Sequence, residues 1–166
     1  MSEPSDKPCH DNAICPRCRQ PGRAASTVTV AAMFSPETSR RLTSMAGFHF
    51  CATQDCDVAY FSPASGELVL QREVRAPIFQ KSTDPHRLVC YCFGNTVGAV
   101  QSEVRAKGSS SILDDIKAKC AQGLDACERN NPQGACCLGN VRRLIREART
   151  STVPPMAGSC GCCGGD

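Results

Sequence analysis

The spacing of apolar positions changes rhythm about halfway along the chain. From Ser26 to Phe34 (STVTVAAMF) β-branched residues alternate in the period of two that a strand requires. Gly47 to Cys51 and Val58 to Phe61 read as two more short strands. Glu67 to Val74 (ELVLQREV) is a further candidate, with Leu68 and Leu70 alternating against Glu67 and Gln71 although Val69 breaks the pattern. Beyond residue 95 the period lengthens to that of a helix. Val97, Val100 and Val104 recur at spacings of three and four, and Gly108 supplies a stop, so a helix is predicted over Thr96 to Lys107. Ser111 to Lys119 and Leu138 to Ala148 are two more predicted helices. Ser111 is the expected cap of the former, with Asp114 and Asp115 in its first turn and Lys117 and Lys119 at its end, as the helix dipole favours.

Strands first and helices afterwards predict an α+β chain of two small subdomains. The expected divisions are a flexible leader over 1–13, a β-rich subdomain over 14–84, a helical subdomain over 85–150 and a flexible tail over 151–166. Segment 75–87 (RAPIFQKSTDPHR) holds two prolines and mixed charge and reads as a linker or edge segment. The tail, STVPPMAGSCGCCGGD, is rich in Gly, Pro and Ser.

Two subdomains of this size bury too little apolar surface to be stable without help. Six Phe, two Tyr and no Trp leave few large side chains for a core, whereas fourteen Cys exceed any packing need. The opening residues are polar with no apolar signal core, and no stretch approaches the roughly 20 apolar residues of a spanning helix. The expected setting is therefore the cytoplasm, without membrane insertion. In a reducing compartment, clustered cysteines read as metal ligands rather than as disulfides. The net charge of +3 is scattered, and its densest group, Arg142, Arg143, Arg146 and Arg149, reads as a solvated helix face, which argues against nucleic acid as a partner. No phosphate-binding glycine loop, paired catalytic carboxylates or nucleophile with a placed base is recognisable, so the chain reads as a non-enzyme whose only defensible chemistry is electron transfer.

The first cysteine constellation is Cys15, Cys18, Cys51 and Cys56. Cys15-Pro16-Arg17-Cys18 is a CxxC knuckle, a tight turn that aims two thiolates at one point. Cys51 and Cys56 follow on a loop between the strand-like FHF and VAYF. Four soft thiolates with no open position suit structural zinc, assembled as in a zinc ribbon or treble clef. His49 is close enough in sequence to compete as a ligand, but a lone histidine in a strand reads as a half-buried packing residue. Cys9 and His10 belong to the solvated leader.

The second constellation begins with Cys90-Tyr91-Cys92, a CxC pair just before the helix at Thr96. Free amides and the positive end of the helix dipole are expected there to stabilise thiolates and a negatively charged cluster. Further ligands are expected from Cys127, Cys136 and Cys137, around a turn made by Asn131, Pro132 and Gly134. CPRC at 15–18, FHFCATQDCDVAYF at 48–61, VCYCFGNT at 89–96 and NPQGACCLGNV at 131–141 together resemble the N-terminal domain of CopZ-type proteins, copper metallochaperones that contain iron-sulfur and zinc. The second half resembles the bacterioferritin-associated ferredoxin-like [2Fe-2S] module. The resemblance spans about residues 14–148. It implies a small zinc-bound β-rich subdomain followed by a helical [2Fe-2S] subdomain, with Cys90, Cys92, Cys127 and Cys137 as cluster ligands and Cys136 as the alternative to Cys137. The simple module ends in a CxxC pair, whereas here a longer step leads from Cys127 to adjacent cysteines. Cys120 reads as a packed thiol.

Three of the last seven residues are cysteines: Cys160, Cys162 and Cys163. Such an arm suits a soft ion, Cu+ or Hg2+, passed on by ligand exchange. The heavy-metal domain with its MxCxxC loop, which CopZ-type chaperones usually carry, is missing from this sequence. The functional expectation is a metal-handling protein, a metallochaperone for copper or another soft metal with cluster-dependent metal reduction. Its partners would be a metal-transporting ATPase, another metal-resistance protein or an electron donor. The competing expectation is a [2Fe-2S] electron-transfer or redox-sensing protein with structural zinc.

Overall fold

The computed structural model describes residues 13–151. The leader with Cys9 and His10, and the tail cysteines Cys160, Cys162 and Cys163, lie outside the described residues. The first half holds a four-stranded antiparallel sheet in the order β1 (Arg23–Ala24), β2 (His49–Phe50), β3 (Val58–Phe61) and β4 (Leu68–Leu70). Two short helices, α1 (Thr27–Met33) and α2 (Pro36–Arg41), lie between β1 and β2. The second half holds a two-stranded hairpin, β5 (Leu88–Cys90) and β6 (Asn95–Thr96), and then α3 (Val97–Lys107), α4 (Ile112–Ala121), the single turn α5 (Cys127–Asn130) and α6 (Leu138–Ser151). The chain is thus mixed α and β, with its sheet in the first half and its longer helices in the second. Among the described residues no helix is long and apolar enough to cross a membrane.

The stretch read as a strand from Ser26 to Phe34 is instead α1. Ser26 caps it, its Oγ accepting from the Thr29 N–H at 3.2 Å. Thr29, Val30 and Met33 form one buried helical face. The alternation of β-branched residues is real, but burial follows the helical period because Val30 and Met33 pack beneath Phe34, Phe48 and Tyr60. The rings of Phe34, Phe48, Phe50 and Tyr60 meet edge to face at centroid separations of 5.3 to 5.5 Å, concentrating the few aromatics in one core. The candidate strand over 67–74 stops at Leu70 and turns into a 3₁₀ segment, Gln71–Glu73, where the Glu73 carboxylate accepts the Leu70 N–H at 2.8 Å.

In the second half Val97, Val100 and Val104 of α3 pack with Ile116 of α4 and Val141, Leu144 and Ile145 of α6. Thr96 caps α3 by accepting from the Ala99 N–H, and Gly108 closes it at φ 71°. Ser111 makes no cap bond to α4. Its hydroxyl and its N–H both go to the Glu103 carboxylate, which also receives Ser110. The Ile112 N–H at the start of α4 donates to the Ser110 hydroxyl at 3.3 Å instead.

Segment 75–87 is built into the structure rather than being a loose linker. Ile78 belongs to the first core and Phe79 to the second. Tyr91 Oη accepts the Phe79 N–H at 2.9 Å and donates to the Pro77 carbonyl. The two halves are also joined by α1 lying against α5. Thr29 Oγ1 donates to the Glu128 carbonyl at 2.7 Å, Ser26 Oγ to the Glu128 carboxylate at 2.6 Å, and the buried Tyr60 hydroxyl to the Pro132 carbonyl. Gly134, at φ 67°, comes so close to Thr29 that a Cβ there would lie 2.7 Å from Oγ1.

Candidate metal centres

The knuckle at Cys15 is built by backbone geometry. Ile14 bridges Pro21, the Cys15 N–H donates to Gln20 O at 2.9 Å, the Arg19 N–H donates back to Cys15 O, and Arg19 adopts φ 61°. Cys51 follows β2 and Cys56 precedes β3, so the loop between these strands presents the second pair. The structure brings all four sulfurs within 4.8 Å of one another, with Cys18 to Cys51 at 3.6 Å and Cys15 to Cys56 at 4.0 Å. Val58, Phe61, Leu68 and Leu70 wrap this group in apolar side chains. His49 stays outside it, stacked on Phe61 at 5.7 Å.

Burial pushes the Cys15 thiol up, and Cys56 up to about 12. Burial also opposes the Cys18 thiolate, but the Thr53 hydroxyl 3.3 Å from its sulfur and the Gln20 N–H outweigh it and hold Cys18 down to about 6. Lys81 reaches in from the connecting segment. Its Nζ donates to Thr53 O at 2.7 Å and Cys56 O at 2.9 Å and lies 3.8 Å from Cys51 Sγ. A fixed cation therefore stands beside a site that would hold four thiolates. Sequence reasoning missed Lys81 because 75–87 read as a linker. The only signal available was a lysine close to two prolines, which has no bearing on metal binding.

The second constellation comes together as two pairs. Cys92 lies 3.7 Å from Cys127, and Cys90 and Cys137 lie together in the second core. Cys90 and Cys137 are each 1% exposed, whereas Cys92 and Cys127 are half-buried. The neighbouring Cys137 side chain holds the Cys90 thiol down to about 6 against the effect of burial, with help from the Phe93 and Cys92 amides. Its partner Cys137 is pushed far up, first by Cys90 and then by burial, and Cys127 is pushed up by burial and by Cys92.

The free amides expected at the start of α3 are not free for the CxC pair. The first amides of α3 are already engaged: Val97 N–H donates to Arg87 O at 3.0 Å, Gly98 N–H to Pro85 O at 2.7 Å, and Ala99 N–H to Thr96. The β5–β6 turn supplies the donors instead, with Gly94 at φ 70° closing it. Ala126 N–H donates to Cys92 Sγ at 3.3 Å, and Asn130 Nδ2 lies 3.7 Å from the same sulfur. Cys137 sits just ahead of α6, its carbonyl accepting the Val141 N–H at 3.0 Å.

Cys136 points elsewhere. It is exposed and lines a groove of about 1130 Å³ together with Arg23, His49, Gln133 and Arg143. Gln133 Nε2 donates to the carbonyls of Ala135 and Cys136, both at 3.2 Å, which fixes the backbone that sends neighbouring thiols in opposite directions. Cys120 packs at the edge of the second core, and burial raises its thiol.

Residues 12–75 match a family model described as a CopZ zinc binding domain. Among solved structures, the X-ray structure of the Archaeoglobus fulgidus CopZ N-terminal domain is similar to this chain, with a TM-score of 0.63 and 25% identity over 80% of this chain and 97% of that one. No curated protein sequence matches. The first half thus matches a zinc-binding domain model and resembles the CopZ N-terminal domain in fold, and its four cysteines are grouped closely enough to hold a metal ion.

Proposed function

We propose that this chain is a two-centre metal-handling protein. Cys15, Cys18, Cys51 and Cys56 hold structural zinc, and Cys90, Cys92, Cys127 and Cys137 hold a [2Fe-2S] cluster. The observation that carries the second assignment is the arrangement of those thiols in two pairs, with a buried, unsatisfied donor beside Cys90. Asn95 Nδ2 is buried with no hydrogen-bond partner, yet it is close enough to Cys90 to favour its thiolate. A buried amide donor beside paired thiols fits a sulfur-rich anionic group, whose sulfides would accept from it. The second set also does not close into a group with all sulfurs within 4.8 Å, as the zinc set does. Two separated pairs suit two irons better than one zinc. When bound, the cluster supplies one-electron chemistry. The residues themselves hold it, exclude water on the Cys90 and Cys137 side, and leave the Cys92 and Cys127 side within reach of a partner.

In this reading the chain hands a soft ion, Cu+ or Hg2+, to a metal-transporting ATPase or another metal-resistance protein. Cys160, Cys162 and Cys163 carry the ion, and the cluster supplies electrons for metal reduction. The half-exposed Cys92 and Cys127 favour a second reading, an electron-transfer or redox-sensing protein in which the tail has no role. The deciding experiment is metal and acid-labile sulfide analysis on protein purified without oxygen, for the full chain and for a chain ending at residue 156. One zinc, two irons and two sulfides are expected in both, with additional Cu+ bound by the full chain alone. Zinc in two equivalents with no sulfide overturns the cluster. Equal Cu+ in both chains removes the tail from the proposal and leaves the electron-transfer reading.

Lys81 is expected to matter for the first centre although it touches no metal. Replacing it with Met removes both carbonyl anchors and the cation beside Cys51, and outer-shell losses of this kind cost about 10–100-fold in metal affinity. Competition with a chromophoric chelator measures it. Unchanged affinity would show that the bonds to Thr53 and Cys56 follow the loop rather than hold it.

A further inference from the structure

The two halves of the second centre differ in burial, and hydrogen bonds follow that difference. On the buried side Cys90 and Cys137 are sealed beneath the core of α3 and α6. On the solvent side Cys92 receives the Ala126 N–H at 3.3 Å, and Asn130 Nδ2 lies 3.7 Å away at the end of α5. Both donors come from the turn that carries Cys127. That turn is held in place by the bonds from Thr29 and Ser26 to Glu128 and by the Asn131 N–H donating to Cys127 O at 2.9 Å.

Adding one electron to a [2Fe-2S] centre adds one negative charge, with no bond made or broken. Donors pointed at a ligating sulfur stabilise that charge more than they stabilise the oxidised state, and so raise the potential. Solvent reach acts in the same direction, because water and a docking partner can respond to charge on the exposed side and not on the sealed one.

We propose that Asn130 is a positioning residue for electron uptake: with the Ala126 N–H it makes the Cys92 and Cys127 side the half of the centre that is reduced. This rests on the cluster reading above. The electron comes from a one-electron donor protein that meets this half-exposed side.

The experiment uses the full chain with its cluster, reduced by dithionite. Asn130→Ala removes the amide donor and leaves the Ala126 N–H. At a fixed applied potential near the midpoint, its ratio of reduced to oxidised centre is expected to fall about tenfold, which is about 59 mV for a one-electron couple. Asn130→Asp, which puts an acceptor and a negative charge where the donor was, is expected to fall further, and Asn130→Gln to recover part of the loss. An unchanged midpoint in Asn130→Ala overturns the role of Asn130. The reduced wild-type protein provides a test that no folding failure of a variant can spoil. In its paramagnetically shifted NMR spectrum the β-protons of Cys92 and Cys127 are expected to show the iron(II) pattern and those of Cys90 and Cys137 the iron(III) pattern. The reverse assignment overturns the inference while leaving the cluster in place. Wild-type protein without iron and sulfide would instead overturn the functional reading itself.

Discussion

Cys56→Ser is expected to lose zinc and, with it, the fold of the first half. The sulfur of Cys56 lies 4.0 Å from Cys15 in a group that Val58, Phe61, Leu68 and Leu70 surround, so the metal and the small core around it form one unit. Structural zinc contributes on the order of 10–16 kcal/mol to the folding of small zinc modules, more than a domain of ordinary stability has to spare. Zinc content near zero and a lost unfolding transition are the expected results, read by elemental analysis and by calorimetry. One zinc retained with an unchanged transition would remove Cys56 from the site.

The same centre has a defined pH dependence. Thiols must lose their protons to bind metal, so binding releases protons and affinity falls as pH falls. Cys56, pushed up to about 12, holds its proton most tightly across the working range, whereas Cys18, held down to about 6, is already a thiolate at neutral pH. Zinc release is therefore expected on acidification, with the metal competing against protons at Cys15 and Cys56 first.

The second large effect separates two adjacent residues. On the proposed [2Fe-2S] reading, Cys137→Ser is expected to abolish the iron, sulfide and visible absorption of the second centre, and Cys136→Ser to retain all three. Cys137 is 1% exposed and shares the second core with Cys90, while Cys136 faces the groove shared with Arg23 and His49. Equal loss in both variants would mean that the turn itself, rather than one sulfur, is what the centre requires. Loss in Cys136→Ser alone would reverse the ligand choice.

The centres are not mechanically independent. Tyr60, at the heart of the first aromatic core, donates to Pro132 in the turn between Cys127 and Cys137, and Gly134 of that turn lies against Thr29 of α1. Lys81 ties the connecting segment to the first centre, while Phe79, two residues before it, is seated in the second core. The β-rich half thus acts as a wall against which the cysteine-bearing turn of the helical half is moulded. Two small units that each bury little surface gain from sharing a boundary in this way.

Local chemistry determined the parts of this protein that depend on near neighbours. CxxC at Cys15 and Cys18, the paired Cys51 and Cys56 between strand-like segments, the valine period of α3 and its glycine stop are all legible in the sequence, because a turn or an amphipathic helix is specified within a few residues. Decisions that depend on distant groups were not legible. The β-branched run at 27–30 became a helix because its face had to fill the space under Phe48 and Tyr60 and against α5. The donors near Cys92 and Cys90 came from Ala126, Asn130 and the β5–β6 turn once Arg87 and Pro85 had taken the α3 amides. Lys81 became part of the first centre only through the path of a segment that reads as a linker. Which sulfur of an adjacent pair turns inward, and which donor reaches it, depends on packing between segments far apart in the chain, and only the tertiary structure decides that.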